Sequence, residues 1–155
     1  MVSTSAVMCP HCGAPPAVAL RAAPVPAWDE PVALAIRATL RLPNDAALDL
    51  AALAKVESLK LDEVFEGDLA GLADALARLP ALKMLGLSRC GLVDVEPLAR
   101  LKGLRYLYLE GNRISDVSPL CAMKSLRQLW LYGNPLSKEE AARAEQALPG
   151  CEVFY

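Results

Sequence analysis

The sequence predicts an α/β fold: a right-handed solenoid of stacked repeats whose short strands form a parallel concave sheet, with a helical cap at each end. The first observation behind this prediction is a leucine-rich sequence motif that occurs three times, beginning at Leu82, Leu104 and Leu126, so that successive copies start 22 residues apart. The second is that helix-start and helix-stop signals flank these motifs on both sides. The third is the composition, 54% hydrophobic and 22% charged, which is typical of a folded domain.

The repeated motif reads L-x-x-L-x-L-x-x-(C/N)-x-(L/I), and its fixed period is the signature of a leucine-rich repeat. Each motif is expected to form one strand and a turn, and its leucines are buried only when a neighbouring repeat stacks over them. The ninth position holds Cys90, Asn112 and Asn134 in turn, and Val64 in an irregular first repeat. A buried amide at this position would bond the loop backbones of neighbouring repeats. Cysteine is a common alternative, whereas Val64 cannot substitute for the amide. We predict that these are core residues.

The chain is predicted to have three parts. A tail with a CPHCG knuckle spans residues 1–27, a helical N-terminal cap spans 28–55, and the repeats with a C-terminal helical cap span 56–155. In the N-terminal cap, Asp29 is expected to cap a helix that begins near Pro31 and is stopped by Pro43. A second helical segment is predicted over residues 48–56, on the same side.

The first repeat begins at Val56, 26 residues before the next start. Its extra residues predict a helix on the convex side over residues 68–79, with Asp68 as its cap. In the next two repeats, the Asp-x-x-Pro-Leu sequences that begin at Asp94 and Asp116 leave room only for a turn or a short 3₁₀ segment.

After the last repeat, the sequence Ser-Lys-Glu-Glu beginning at Ser137 has the pattern of a capping box. It predicts a helix to about Leu148, where Pro149 and Gly150 follow. Val153 and Phe154 are then expected to add a final strand, which would cover the edge of the sheet.

Several of these segments resemble the cap and the 22-residue repeats of the bacterial internalins and related bacterial proteins. The segments that carry the resemblance are Ala35-Ile36-Arg37, Leu42-Pro43, Leu50-Ala51-Ala52-Leu53, Asp68-Leu69-Ala70-Gly71-Leu72 and Ile114-Ser115-Asp116-Val117-Ser118-Pro119-Leu120. The repeats are also similar to the leucine-rich regulatory subunit of protein phosphatase type 1. The resemblance covers residues 28–155 and implies the fold, but it implies no particular partner. Internalins are exported and attached to the cell surface, and we recognise neither signal here, so host-cell adhesion is not implied.

The tail contains the cluster Cys9-Pro10-His11-Cys12-Gly13, which resembles one knuckle of a zinc ribbon or rubredoxin-type site. A structural zinc needs four ligands, and the second Cys-x-x-Cys pair is missing. Three interpretations stay open: an unmetallated remnant, a zinc shared between two chains, and a site completed by His11 or by a cysteine of the solenoid. The cluster is also similar to the active pair of thioredoxin-like oxidoreductases, but no βαβ unit surrounds it and Pro15 follows closely.

Charge and cysteine content limit the possible partners and the compartment. The net charge is -2 and the pI about 5.4, so the chain lacks the basic field that nucleic-acid binding requires. We find no secretory signal and no apolar stretch near the roughly 20 residues that span a bilayer. The five cysteines are an odd number without a disulfide framework. We therefore expect a cytoplasmic protein with reduced thiols, without nucleic-acid or membrane partners, and either monomeric or dimeric through the tail.

The predicted working surface is the concave side of the strands, where residues that alternate with the buried leucines point outward. Four of the chain's eight aromatic residues converge there, and such clusters are typical of protein interfaces. The predicted partner-binding residues are Met84, Tyr106, Tyr108, Glu110, Gln128, Trp130 and Tyr132. The alternative interpretation is that the aromatics are ordinary strand formers that cover each other. Arg105 and Arg127, with Glu110, would form either a polar rim or simply a solvated face.

The sequence does not predict an enzyme. Its only histidine is His11, and neither a zinc-protease helix nor a phosphate-binding loop motif occurs. Asp62 and Glu110 would lie two strands apart with no evident pocket. We therefore predict a non-enzymatic module that binds a partner protein, with no cofactor other than a possible zinc on Cys9 and Cys12. The alternative is a zinc-linked or redox-responsive homodimer assembled through these two cysteines.

Overall fold

The structure is a computed structural model that describes residues 30–155. This part of the chain contains five strands and four α-helices, with two short 3₁₀ helices on the crossovers between strands. In chain order the elements are α1 (Glu30–Thr39), α2 (Leu50–Leu53), β1 (Ser58–Lys60), α3 (Leu69–Leu76), β2 (Met84–Gly86), η1 (Glu96–Arg100), β3 (Tyr106–Tyr108), η2 (Ser118–Ala122), β4 (Gln128–Trp130), α4 (Lys138–Ala147) and β5 (Glu152–Phe154).

The five strands form one parallel sheet in the order in which they occur in the chain. The middle residues of the first four strands, Leu59, Leu85, Leu107 and Leu129, are paired in register from strand to strand, and all four are 0% exposed. A parallel neighbour can be reached only by a crossover, so each repeat returns along the other side of the sheet before it starts its next strand. The predicted α/β solenoid with a parallel sheet is therefore confirmed.

The core is continuous from α1 to the end of α4 rather than divided into separate clusters. The leucine two positions after each middle residue is also buried, in each of the first four repeats. A solenoid gains its stability in this way, because each repeat buries its apolar side mainly against its two neighbours.

Asn112 confirms the structural role predicted for the ninth position of the repeat. Its side-chain nitrogen donates to the carbonyl oxygens of Leu87 and Leu109 at 2.9 and 2.8 Å, and its oxygen accepts from the backbone N–H groups of Cys90 and Leu92. Asn134 makes three of these four bonds one repeat later: its nitrogen donates to the carbonyl oxygens of Leu109 and Leu131, and its oxygen accepts from the N–H of Ile114. These amides satisfy backbone groups that a chain leaving its strand would otherwise bury unpaired.

The first repeat departs from this arrangement. Val64, at the position equivalent to Cys90, is 50% exposed, whereas the next residue, Phe65, is buried. The interpretation of Val64 as a core residue is therefore wrong, because the phenyl ring of Phe65, one residue later, is buried in its place.

The convex side is a second layer in which α3, η1, η2 and α4 lie side by side in that order. The short 3₁₀ helices are as predicted: Asp94 and Asp116 each accept a bond at 2.8 Å from the backbone N–H two residues later, and a proline is the second residue of each helix. Asp68 caps α3 by accepting from the N–H groups of Ala70 and Gly71. The helix ends at Leu76 rather than at Leu79, because the residue before Pro80 is disfavoured in helical conformation.

The N-terminal helices are shorter than predicted. α1 buries Val32, Ala33 and Ile36 and packs against β1, but it ends at Thr39, before the chain turns at Arg41 with a φ of 55°. α2 is one turn long, with Asp49 accepting from the N–H of Ala52. The cap predicted at Asp29, the tail and the domain boundary at 27 lie outside the described residues.

At the other end, Ser137 caps α4 by accepting from the N–H of Glu140 at 3.2 Å, as the capping box predicted. The Glu140 carboxylate does not return the bond to Ser137; it accepts from the N–H of Val117 in the adjacent repeat and pairs with Arg143. α4 packs against η2 and β5. That the terminal helices act as solenoid caps stays a prediction. Within residues 30–155, no helix is both long enough and apolar enough to span a bilayer.

Candidate functional site: the concave face

The outward side of the sheet carries the residues that alternate with the buried leucines, and we call it the concave face because the parallel sheet lines the inner curve of such solenoids. It has three rows, each running across the strands in register. The first row is Ser58, Met84, Tyr106, Gln128 and Glu152; the second is Lys60, Gly86, Tyr108, Trp130 and Phe154; the third is Asp62, Ser88, Glu110 and Tyr132.

The second row contains a stack of three rings, Tyr108, Trp130 and Phe154, which we call the aromatic ladder. The ring centroids of Tyr108 and Trp130 are 4.2 Å apart with planes inclined by 12°, and those of Trp130 and Phe154 are 5.1 Å apart at 16°. The spacing follows from the sheet, because paired residues on adjacent parallel strands lie about 4.8 Å apart. All three side chains are partly exposed.

The other predicted binding residues surround the ladder. Tyr132 is 50% exposed and its ring lies at a tilt beside Phe154, with 6.5 Å between centroids. Tyr106 is paired with Met84 on one side and with Gln128 on the other, and all three are half-buried. The structure thus brings the predicted aromatic residues onto one surface.

Phe154 belongs to this surface although the sequence analysis assigned it only to the final strand. It lies 24 residues after Trp130 rather than 22, so the repeat period alone does not place it in the row. The alternation of side chains in the final strand could have placed Phe154 on this surface. If Val153 points inward, its neighbours Glu152 and Phe154 must point outward. Gln128 and Glu152 are joined across the same two strands by a side-chain hydrogen bond of 2.8 Å.

At the carboxyl ends of the strands the concave face opens into a groove of about 500 Å³, which we call the acidic groove. It is lined by Asp62, Glu63, Ser88, Arg89, Glu110, Gly111, Tyr132 and Gly133. Asp62 and Glu110 therefore share one groove, which corrects the expectation that no pocket connects them. One oxygen of Asp62 accepts from the N–H of Ser88 at 2.8 Å, and the carboxylate of Glu63 pairs with Arg89.

The backbone along this groove turns in the same way in each repeat. The third residue after each of the first four strands has a positive φ: Glu63 and Arg89 in the first two repeats, Gly111 and Gly133 in the next two. The side chain of Arg89 lies across Gly111, where an added Cβ would be 3.0 Å from its Cγ. The glycines thus leave the groove open beside Tyr132.

The concave face is basic at the amino ends of the strands, in contrast to the acidic groove at their carboxyl ends. Arg105 and Arg127, with Tyr106, Gln128, Gly150 and Glu152, line a shallow groove of about 460 Å³. Both arginines are exposed, and neither forms an ion pair with another residue of the described chain. The aromatic ladder therefore lies between a basic and an acidic margin.

The cysteines of the solenoid have the properties of structural residues. Cys90 is half-buried, with its Sγ 3.3 Å from the carbonyl oxygen of Leu61, and burial raises the pKa of its thiol. Burial also raises the thiol pKa of Cys121, and that of Cys151 to about 11, with a further contribution from the nearby Glu152 carboxylate. In the described part of the chain, no group of three or more His, Cys, Asp or Glu side chains could hold a metal.

Cys9, His11 and Cys12 lie outside the residues that the structure describes. The possible zinc site and the dimer predicted through these cysteines therefore stay predictions.

Comparison with known proteins supports the repeat assignment. A family model described as Leucine Rich repeats (2 copies) matches residues 80–120 and 102–141. No curated protein sequence matches the chain significantly.

Among solved structures, an internalin (inlF) from Listeria monocytogenes is 21% identical over 81% of this chain, with a TM-score of 0.60. A leucine-rich-repeat protein from Leptospira interrogans is 24% identical over 71% of this chain, with a TM-score of 0.54. The Mex67:Mtr2 subunits from Chaetomium are 23% identical over 65% of this chain and 80% of their own, with a TM-score of 0.51. The chain spans 42% of the length of the internalin and 28% of that of the Leptospira protein.

Four observations lead to the same conclusion: the 22-residue period, the parallel register of the leucines, the hydrogen bonds of the buried Asn112, and the family match. Residues 80–141 contain leucine-rich repeats, and the fold of the chain is similar to that of the Listeria internalin and of the Leptospira leucine-rich-repeat protein.

Proposed function

We propose that this protein is a non-enzymatic protein-interaction module whose concave face binds a partner protein. The leucine-rich-repeat fold supports the general role, because such solenoids present extended surfaces on which partners dock. The observation that supports the concave face in particular is the aromatic ladder. The proposed contact residues are Met84, Tyr106, Tyr108, Glu110, Gln128, Trp130 and Tyr132, and we add Phe154.

The ladder has the properties of an interface anchor. Each ring is fixed by the one beside it, so little side-chain entropy would be lost when a partner covers the stack. Tyr and Trp also bury a large area while keeping a polar group for hydrogen bonding. The hydrogen bond between Gln128 and Glu152 similarly holds polar groups in place beside the rings.

The alternative is that the rings only cover each other. The core, however, is complete without them: the leucines directly behind the ladder are at most 1% exposed, and the rings lie on the opposite side of the sheet. Tyr132 leaves half of its surface exposed at the end of the cluster. A stack that is not needed to close the core is better explained as a surface that a partner completes.

The non-enzymatic part of the proposal is supported by the chemistry of the grooves. Both are open and shallow, and residues 30–155 contain no histidine. Asp62 and Glu110 are two strands apart, or roughly 10 Å at the usual strand spacing. A carboxylate pair at that separation with an open groove between them favours ligand contact over proton transfer in an enclosed site.

The test is affinity capture with a Tyr108→Ala, Trp130→Ala double variant. Wild-type protein is immobilised, captured partners are identified, and the affinity of each is measured for wild type and variant. If both rings are hot spots, each truncation should weaken binding by about 1 to 4 kcal/mol. A Val93→Ala, Leu50→Ala variant is the matched control, because it removes exposed apolar side chains away from the concave face, at 62% and 51% exposure.

We expect the control to bind the same partners as the wild type and the double variant to lose them. Circular dichroism must show that the double variant is folded. A folded double variant that still binds the same partners with unchanged affinity would contradict the proposal.

A further inference from the structure

We infer that the concave face selects a partner segment that presents an arginine side chain, stacked on Tyr108 and paired with the carboxylates of Asp62 and Glu110. This inference rests on the proposed function and specifies the chemistry of the partner. It depends on three features of the surface: where the aromatic ladder ends, what lies next to its last ring, and which charges are not already paired.

The ladder ends at Tyr108 because the next residue in the row is a glycine. Tyr108 is paired with Trp130 on one side and with Gly86 on the other. Trp130 stacks on one face of the tyrosine ring at 4.2 Å, whereas Gly86 has no side chain to cover the other face. The space directly over Gly86 is filled by the carboxylate of Asp62, and Gly86 is buried, but Tyr108 stays partly exposed. A planar group can therefore stack on the outer part of the Tyr108 ring, beyond this carboxylate.

The carboxylate of Asp62 lies beside that place. A Cβ added at Gly86 would be 2.8 Å from one oxygen of Asp62 and 3.1 Å from the other, so the carboxylate reaches over the glycine from the neighbouring strand. The hydrogen bond from the N–H of Ser88 holds it there. A group stacked on the outer part of the Tyr108 ring would therefore meet an oriented carboxylate beneath it.

The charges make this group a cation. The acidic groove contains the carboxylates of Asp62, Glu63 and Glu110 and one guanidinium, that of Arg89, which gives three negative charges against one positive and a net charge of -2. Glu63 pairs with Arg89, whereas Asp62 and Glu110 form no ion pair with any residue in the range 30–155. A basic partner group would supply the missing positive charge.

Arginine fits better than lysine. Its planar guanidinium can stack on an aromatic face and donate two parallel hydrogen bonds to a carboxylate at the same time, whereas an ammonium is a compact, strongly hydrated charge. Lys60 lies beyond Gly86 in the same row, on β1. Its ammonium is exposed to solvent, which screens its charge, and it lies on the far side of Gly86 from Tyr108.

The test uses ¹⁵N-labelled full-length protein and the peptide acetyl-Gly-Arg-Gly-amide at low ionic strength, titrated to about 20 mM. The control peptide replaces arginine with citrulline, which has the same shape without the charge. We expect saturable shifts of the Ser88 and Tyr108 amides with the arginine peptide. Equal shifts with citrulline, or none at these amides with arginine, would overturn the inference.

The matched variant is Asp62→Asn, because the amide oxygen can still accept the bond from the N–H of Ser88 while the charge is lost. We expect this variant to bind the arginine peptide with roughly tenfold lower affinity than wild type. Glu96→Gln removes an exposed charge on the convex side and should change nothing. An unchanged affinity of the folded Asp62→Asn variant would also overturn the inference.

The inference and the proposed function can fail separately, and binding of the captured partner to the variants shows which one has failed. One outcome is that the Tyr108→Ala, Trp130→Ala double variant no longer captures the partner, while Asp62→Asn binds it as tightly as wild type. In that case the concave face is the interface, but no arginine of the partner stacks on Tyr108 and pairs with Asp62. If neither variant weakens capture, the interface lies elsewhere and both proposals are wrong. We expect both variants to bind the captured partner more weakly than wild type, and Glu96→Gln to bind it as wild type does.

Discussion

The two sides of the sheet follow opposite rules. On the inward side, each of the first four strands has leucine at its middle, and none of the four is exposed. On the outward side the same strands present Lys60, Gly86, Tyr108 and Trp130 at one row position: a cation, a glycine and two aromatic residues. Stacking requires identical shapes at the interface between repeats, whereas the solvent side has no such requirement. The inward side therefore determines the fold, and the outward side is free to carry recognition.

The largest effect should come from the inward side. Leu107→Ala removes a side chain that is 0% exposed in the middle of the sheet, and a cavity of this kind costs about 3 to 5 kcal/mol in the free energy of unfolding. Urea denaturation followed by circular dichroism measures it. Leu85→Ala, one strand earlier, should cost a similar amount because its surroundings repeat. A small loss for either variant would show that the repeats do not share one core.

Asn112→Ala should have the next largest effect. The variant leaves two backbone N–H and two carbonyl groups without their side-chain partner, at a cost of about 2 to 4 kcal/mol after partial rescue by water. Cys90→Ala, at the equivalent position, should cost less because the thiol contributes only weak bonds to carbonyl oxygens. Equal losses in urea denaturation would mean that the amide contacts contribute nothing beyond packing.

On the outward side, Tyr108→Ala should lower the stability only modestly. It removes one stacked, partly exposed ring and should cost about 1 to 2 kcal/mol, well below the leucine variants. The same variant should strongly weaken partner binding. A stability loss as large as that of Leu107→Ala would place the ring within the core and remove the distinction between the two sides.

The smallest effect concerns Cys151, just before β5. Its folded-state pKa is raised from 9.0 to about 11, so the fold favours the neutral thiol. Its stabilising contribution is therefore complete below the unfolded pKa and is lost as the pH rises through the folded one. Compared with Cys151→Ala, wild-type protein should lose stability against urea between about pH 9 and about pH 11. Alkylation by iodoacetamide near pH 8.5 should also be slower than for a free thiol. Parallel pH curves for the two proteins would contradict the shift.

The fold could be predicted from the sequence because its determinants are local and repeated. Each leucine and asparagine has the same neighbours one period away, so a spacing of 22 residues is enough to place Asn112 between Leu87 and Leu109. The helix ends were less accurate: α3 stops before Leu79 although the apolar spacing continues, because Pro80 changes the preference of the residue before it.

The site could be predicted only in part. The alternation of strand residues placed Tyr108 and Trp130 on one face. Phe154 could not be placed there by the 22-residue period, because the last repeat, which contains α4, is two residues longer. The reach of Asp62 over Gly86 depends on a side-chain conformation and on a missing Cβ. Neither follows from periodicity, so the acidic groove emerged only from the structure.

Hydroxyl-radical footprinting of the protein with its captured partner tests the central claim most directly, because it reports the exposure of individual side chains. The account predicts that Tyr108, Trp130 and Tyr132 become protected in the complex, while Val93 and Leu50, which are off the concave face, react as in the free protein. Unchanged reactivity of the three aromatic residues, with protection of Val93 or Leu50 instead, would contradict it.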